Sequence, residues 1–181
     1  MALRNVIKEG DPVLAKHCRP VTDFNKKLHV LLDDMRETLA DAEGVGLAAP
    51  QVGILRRAVL VVETNHPEGE EDTYIELINP ELTFSEGEQG GPEGCLSVPG
   101  VYGYVLRPER VKVRSQDRNG EWFELEVHGL TARAVCHELA HLEGQLFTEV
   151  ADHIMDDEEL EEYYGPEAVR NNKKRLQRKR R

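Results

Sequence analysis

The sequence predicts an α+β fold in which several antiparallel strands pack around one central helix, with an N-terminal helix before it and a C-terminal helix and tail after it. Three observations support this prediction. Two long segments carry apolar residues at helical spacing, segments between them alternate apolar and polar residues, and the second helical segment contains His-Glu-x-x-His. A chain of 181 residues is long enough for one domain with a buried core.

The first helix is predicted over residues 23–44, where leucines and Met35 recur at helical spacing. Asp23 can accept hydrogen bonds from the first unpaired amides, so we expect it to cap the helix start. Gly44 is expected to end the helix, because glycine adopts the left-handed conformation that commonly closes a helix.

A buried strand is predicted over residues 56–64 from its run of β-branched side chains. Residues 65–72 are predicted to form a polar loop. A second strand follows over residues 73–82, and Pro80 is expected to stop it because proline cannot donate to a sheet ladder.

The second half of the chain predicts a hairpin followed by helices. Residues 109–117 and 121–129 alternate apolar and polar side chains, and the Arg-Asn-Gly between them predicts a turn. Residues 130–144 return to helical spacing and carry the histidine motif. Residues 155–165 predict a short acidic helix.

The charge of the chain is unevenly distributed. The net charge is −11, but the last twelve residues hold eight Lys or Arg and no acid, which leaves 34 acidic against 15 basic side chains elsewhere. We therefore divide the chain into a single catalytic domain, residues 1–169, and a basic tail, residues 170–181. The tail is predicted to be either a disordered, solvated end or a segment that contacts a polyanion.

Cysteine usage and hydropathy indicate the cellular compartment. Cys18, Cys95 and Cys136 are odd in number and widely spaced, which fits a reducing compartment better than a disulfide framework. The N-terminal segment has no apolar run of signal-peptide length, and no segment approaches the roughly 20 apolar residues of a membrane span. We expect a cytoplasmic protein with no membrane association.

The motif His-Glu-x-x-His predicts a metal site. On a helix His137 and His141 share a face and can bind one ion, with Glu138 placed to act on a water molecule at that ion. The alternative is an ordinary amphipathic helix with two surface histidines. Two histidines are not enough, so a third ligand is needed.

Several residues compete for the third ligand position. The extended motif His-Glu-x-x-His-x-x-Gly-x-x-His is excluded here, because Phe147 occupies the position of its last histidine. Glutamates 158–162 lie in a dense acidic run that is typical of a solvated helix face, and His153 is a weak candidate. Cys136 directly precedes His137, so its side chain lies about 100° away around the helix.

Cys95 is the better candidate for the third ligand. Gly94 allows close approach of the backbone, and residues 96–98 are expected to form a short strand that holds the cysteine rigidly. A Cys/His/His set leaves a fourth position open, as a catalytic metal requires. The alternative is that Cys95 is a small buried apolar residue, as lone cysteines commonly are.

A glycine-rich segment, residues 43–53, is the third unusual feature. Its "GVGLAA" is close to the dinucleotide-binding pattern, but it follows a predicted helix and not a strand, which excludes that site. Gln51 is the one polar, uncharged side chain in the segment, and its amide can donate to an oxyanion. The alternative is a plain turn that ends the first helix.

Together, "GVGLAAPQ", "EGCLS" and "HELAHLEG" resemble the three motifs of peptide deformylase, in the same order and with similar intervals. The resemblance extends from about Val6 through Phe147. It implies hydrolysis of the formyl group from the N-terminal formyl-methionine of newly synthesised polypeptides in the bacterial cytoplasm. The basic tail is then expected to contact the RNA-rich surface of the ribosome.

The resemblance also implies roles for individual residues. A divalent cation, typically ferrous iron with Zn²⁺ or Ni²⁺ as alternatives, is bound by Cys95, His137 and His141. Glu138 transfers the proton, Gln51 and the backbone N–H of Leu96 stabilise the oxyanion, and the peptide is bound by Val45, Gly46 and Leu130.

One position departs from the family pattern. Ala140 replaces the Asp that usually precedes the second histidine. Such a carboxylate is not a ligand, but it can pair with a basic side chain behind the site, and Arg107 is the candidate for the cation left without a partner.

Two other functions are compatible with parts of the sequence. The first is a His-Glu-x-x-His peptidase that cuts internal bonds, which needs a carboxylate ligand downstream. The second is a non-catalytic binding protein whose tail contacts nucleic acid.

Overall fold

The structure, a computed structural model, describes residues 2–64, 67, 70, 71 and 73–179. The polar loop predicted over residues 65–72 therefore lies largely outside the described residues. Among those described, eight strands form two antiparallel sheets and four α-helices pack around them. The result agrees with the predicted α+β fold.

The larger sheet has five strands in the order β1-β2-β3-β6-β7, and the smaller has the order β4-β5-β8. Short strands β1 and β4 are therefore edge strands. The strands are β1 (Gly46–Ala48), β2 (Ala58–Glu63), β3 (Thr73–Glu86), β4 (Gln89–Cys95), β5 (Val98–Arg107), β6 (Arg110–Gln116), β7 (Trp122–His128) and β8 (His153–Ile154). The helices are α1 (Lys26–Ala42), α2 (Gly129–Leu142), α3 (Asp157–Tyr164) and α4 (Pro166–Lys179).

Strand β2 is buried on both faces, which explains its continuous apolar run. Val59 and Val61 pack with α2 on one face, where Ala132 and Val135 are fully buried. Leu60 points to the other face and packs with the leucines of α1. The helix that carries the histidines is thus fixed against the larger sheet.

The ends of α1 differ from the predicted ones. Asn25, and not Asp23, caps the start, because its side chain accepts from the amides of Lys27 and Leu28. At the other end Glu43 adopts the left-handed conformation with φ 54°, and the N–H of Gly44 donates to the carbonyl of Leu39. The left-handed residue that ends the helix is therefore Glu43, one position before the predicted Gly44.

Pro80 does not stop the second predicted strand, because β3 continues to Glu86. The pairing of β3 with β6 shifts register between Ile78 and Glu81, so the proline lies in a bulge where no ladder N–H is needed. Asn79 has φ 50°, and its side chain pairs with both backbone groups of Val21.

The basic tail is not an irregular end within the described residues. Helix α4 runs from Pro166 to Lys179 and crosses the predicted boundary at residue 169; the last two arginines lie outside the description. Val169 anchors the helix by packing with Met155 and Leu160. No helix among the described residues is long and apolar enough to span a membrane.

Candidate active site

The structure brings together the three residues predicted as metal ligands. One donor atom from each of Cys95, His137 and His141 lies within 4.8 Å of the others. The two histidines lie one turn apart on α2, and Cys95 ends β4 with its Sγ 3.4 Å from Nε2 of His141. Leu96 and Ser97 form the turn into β5, which corrects the predicted strand over residues 96–98.

A buried carboxylate behind the site fixes the first histidine. Oε1 of Glu93 lies 2.8 Å from Nδ1 of His137, so the Nδ1–H donates to the carboxylate and leaves Nε2 available as a ligand atom. Arg107 donates two hydrogen bonds to Glu93, and Arg133 donates a third. Burial raises the pKa of Glu93, but its hydrogen bonds with Arg107 and His137 outweigh that effect and lower the pKa to about 2.

The same network accounts for the departure at Ala140. The sequence suggested Arg107 as a cation that loses its partner when Asp is absent there, but Arg107 pairs with both oxygens of Glu93. The cation is therefore satisfied without an acid at residue 140.

The two histidines are in different electrostatic environments. Burial lowers the pKa of His137, but hydrogen bonds with Cys95 and Glu93 outweigh it and raise the pKa to about 10. Burial and the charge of His137 lower the pKa of His141 to about 3. A cation that binds at His137 therefore displaces a proton.

Glu138 is only 3% exposed and lies beside the ligand group. A Cβ built on Gly46 would lie 2.3 Å from its Oε1, so only glycine allows β1 to pass this close. Its other oxygen, Oε2, has no hydrogen-bond partner among the described residues. Burial, with repulsion from Glu93, raises the pKa of Glu138 to about 7. A carboxyl group in this environment is suited to exchange a proton.

Gln51 is held with its amide directed at Cys95. Its Oε1 accepts from the N–H of Ala48, and its Nε2 lies 3.1 Å from Oγ of Ser97 and 3.4 Å from Sγ of Cys95. The side chain is 1% exposed, so its orientation is fixed by these partners. The amide N–H groups therefore lie next to the ligand group.

The ligand group opens into a cleft of about 670 Å³. Gly46 of β1 and Gly94 of β4 both line it, so an edge strand of each sheet borders the same space. Val45 and Leu130 also line the cleft and are about half exposed. Leu96 lies on the rim, where Lys8 donates to its carbonyl oxygen.

The other candidates for the third ligand do not join this group. The only cluster of metal-ligating donors found in the described part of the chain contains neither Cys136 nor the downstream acids. His153 instead pairs with Asp152 and Glu159 and stacks on Tyr104.

The donor set fits a divalent cation. One thiol and two imidazoles can fill three positions of a tetrahedral site and leave the fourth for water or substrate. Glu138 lines the same cleft, with its Oε1 nearest to Gly46 and its Oε2 without a hydrogen-bond partner in the described part of the chain. Such a set beside a buried carboxyl group and an open cleft defines a metal-dependent hydrolase of the His-Glu-x-x-His class.

Comparison with known proteins gives the family. The sequence model of the polypeptide deformylase family matches residues 3–157. A peptide deformylase of Caldanaerobacter subterraneus is 53% identical over 161 residues, covering 89% of this chain and 97% of the relative. The chain belongs to the polypeptide deformylase family, whose metal-dependent enzymes remove the formyl group from the N-terminal methionine of nascent peptides.

Solved structures agree with this assignment. The peptide deformylase of Thermotoga maritima has a TM-score of 0.78 and 36% identity and covers 84% of this chain and 99% of its own. A class I type b peptide deformylase of Acinetobacter baumannii, solved with Met-Ala-Ser bound, has a TM-score of 0.75 and 37% identity, covering 82% and 98%.

Two functional residues were missed by the sequence analysis, although each left a signal. Glu93 lies two residues before Cys95 on one strand, so both side chains share a face. Arg133 lies four residues before His137 on α2 and therefore faces the same side.

Proposed function

We propose that Cys95, His137 and His141 bind the divalent cation of this deformylase. The observation that supports this proposal most strongly is the convergence of their three donor atoms within 4.8 Å, from a helix and from the end of a strand in the other sheet. When bound, a cation of this kind supplies Lewis-acid chemistry, because it lowers the pKa of water and polarises a carbonyl oxygen.

Glu138 is proposed to move the proton. Its carboxylate accepts a proton from the attacking water as the new C–O bond forms at the formyl carbon. The same group then donates the proton to the nitrogen as the C–N bond breaks, which releases formate and a free amine. Its buried position between Gly46 and the ligand group suits both transfers.

Gln51 and Leu96 are proposed to stabilise the negative charge on the formyl oxygen. The Nε2 of Gln51 is fixed by Ala48 through the other end of the amide, so donation requires little rearrangement. The backbone N–H of Leu96 belongs to the turn that follows Cys95 and is the second proposed donor.

The peptide is proposed to bind as an added strand between the two sheets. β1 and β4 are both edge strands, and their glycines at the cleft, Gly46 and Gly94, allow a backbone to approach closely. The carbonyl oxygen of Val45 accepts from the N–H of Val62 in β2. Because successive residues of a strand direct their backbone groups to opposite sides, the N–H and C=O of Gly46 point away from β2. Leu130 contributes apolar surface for the methionine side chain.

Ferrous iron is proposed as the native cation, with Zn²⁺ or Ni²⁺ able to take its place. A thiolate with two imidazoles suits all three ions. Anaerobic purification followed by metal analysis tests this, and recovery of zinc alone with no iron would overturn it.

The enzyme is proposed to act in the bacterial cytoplasm, where nascent chains carry formyl-methionine, and to contact the ribosome through α4. Arg170, Lys174 and Arg178 are exposed and lie at intervals of four residues, so they form one basic face. Such a face can bind RNA phosphate through counterion release.

The ligand assignment is tested by three cysteine substitutions. Cys95→Ala is expected to lose metal and formate release from formyl-Met-Ala together, whereas Cys18→Ala and Cys136→Ala retain both. Metal content and formate are measured on the same anaerobic sample. Full metal occupancy in Cys95→Ala would refute the assignment.

A further inference from the structure

Helix α4 borders the same cleft as the ligand group. Asn172, Arg175 and Leu176 line the cleft that His137 and Glu138 also line. The match to the family's sequence model ends at residue 157, so α4 is not part of the matched segment. Any contribution it makes to substrate binding therefore has to be argued from its own contacts.

Three contacts fix α4 against the cleft. Arg175 forms an ion pair with Glu43, which lies two residues before Val45 in the segment proposed to bind the peptide. Asn172 donates to the hydroxyl of Tyr102 on β5. Leu176 lies against Gly100, where a built Cβ would be 3.6 Å from its Cδ1.

The two faces of α4 have different surroundings. Val169, Asn172 and Leu176 recur at helical spacing and point inward, with Val169 buried and the other two partly buried. Gln177, the next residue after Leu176, is exposed on the outer side. The inner face is thus available to a ligand in the cleft, while the basic face points away from it.

A substrate longer than a dipeptide must extend along this cleft. In the proposed binding mode the formyl group and the methionine occupy the end with the ligand group, and the chain continues from the methionine carbonyl. The A. baumannii relative was solved with the three-residue peptide Met-Ala-Ser. Helix α4 lines this cleft and so offers a wall along which residues beyond the methionine can extend.

We propose that Leu176 is a specificity-determining residue that contacts the nascent chain beyond the methionine, and that Arg175 positions it through the ion pair with Glu43. This inference rests on the proposed function of the cleft. The ligand is an extended formyl-peptide of four or more residues, and the contact is apolar. Helix α4 is then a wall of the substrate site as well as a carrier of the basic face.

The test compares substrates of different length on one set of variants of the full chain. Leu176→Ala is expected to lower kcat/KM for a formylated pentapeptide on the order of 10-fold more than for formyl-Met-Ala, the scale of losing an apolar contact in a pocket. The loss is expected in KM, because Leu176 does not touch the reacting atoms. Leu176→Met, which conserves volume, should restore the preference. Gln177→Ala is the matched control and should behave as the unchanged enzyme.

The positioning role of Arg175 is tested by a double-mutant cycle. Arg175→Ala and Glu43→Ala are each expected to raise KM for the pentapeptide, and the double variant should raise it no further than either one. Equal losses on both substrates in Leu176→Ala, or no loss on either, would overturn the inference. Failure of the unchanged enzyme to release formate from formyl-Met-Ala would instead overturn the proposed function, so the two failures are distinguishable.

Discussion

At the scale of single residues, the proposed mechanism assigns the binding of the cation and the transfer of the proton to different side chains. Cys95, His137 and His141 supply donor atoms, whereas Glu138 lies beside them with one oxygen unpartnered. A substitution can therefore remove one function and leave the other, which gives direct tests of each role.

Glu138→Gln is expected to bind the cation normally and to lose at least about 10²-fold in kcat, because the amide cannot accept the proton. The change conserves volume, so Gly46 still fits beside it. Metal content and the rate of formate release from formyl-Met-Ala are the measurements. Near-normal turnover would remove Glu138 from the mechanism.

Glu93→Gln is expected to weaken cation binding by about 10- to 100-fold, since a neutral amide holds the tautomer of His137 less firmly and leaves two arginines without their carboxylate. A metal-competition titration measures the effect. Glu126→Gln, which removes an acid from the surface of β7, is the control. Equal metal affinity in the two variants would contradict a positioning role for Glu93.

At the scale of elements, β1 and α2 lie in close contact beside the proposed ligands. Strand β1 is only three residues long, and all three are buried. Because Gly46 has no side chain, β1 approaches α2 closely enough for the carboxyl group of Glu138 to fill the space where a Cβ would lie.

Gly46→Ala is therefore expected to displace Glu138 and to lower kcat/KM by about 10²-fold, the scale on which a misplaced catalytic group loses rate. Metal content should stay near that of the unchanged enzyme, because the atoms nearest to the new methyl group belong to Glu138, which is not a proposed ligand. Val30→Ala, at a half-exposed position of α1, controls for general effects of substitution. Unchanged activity in Gly46→Ala would contradict the close approach.

The elements with regular apolar spacing were predictable from the sequence, and those without it were not. The central helix, the hairpin of β6 and β7 and the acidic helix α3 follow their predicted segments. Strands β4 and β5 were not predicted, because glycine and proline fill β4 and its pairing depends on tertiary contacts, such as Arg133 bonded to the carbonyls of Gln89 and Gly91. Sequence motifs thus identified the candidate donor residues and Arg107, but not Glu93 and Arg133 behind them.

At the scale of the whole molecule, charge is separated between an acidic body and one basic helix. The outward face of α4 carries Arg170, Lys174 and Arg178, and the rest of the chain repels a polyanion. This distribution is the basis for the proposed contact with the ribosome.

Reversing the three charges to Glu is expected to abolish cosedimentation with ribosomes at low salt and to leave hydrolysis of formyl-Met-Ala unchanged. Binding by the unchanged protein should fall steeply with added salt, because each phosphate contact releases counterions. Reversing Lys16, Lys26 and Lys27, which are exposed elsewhere, is the matched control. Salt-insensitive binding, or equal loss in both variants, would count against an electrostatic contact through α4.

The proposed cation site lies where a helix of the larger sheet meets the smaller sheet. The histidines belong to a helix packed on the five-stranded sheet, and Cys95 ends a strand of the three-stranded sheet. A cation bound by the proposed ligands would cross-link α2 on the larger sheet to β4 of the smaller sheet, which predicts that folding is coupled to metal binding. At a free metal concentration 100 times the Kd, the gain in stability is about 2.7 kcal/mol. Chelation should accordingly lower Tm and speed amide hydrogen exchange in the β4–β5 hairpin more than in β6 and β7, which are paired within the larger sheet alone.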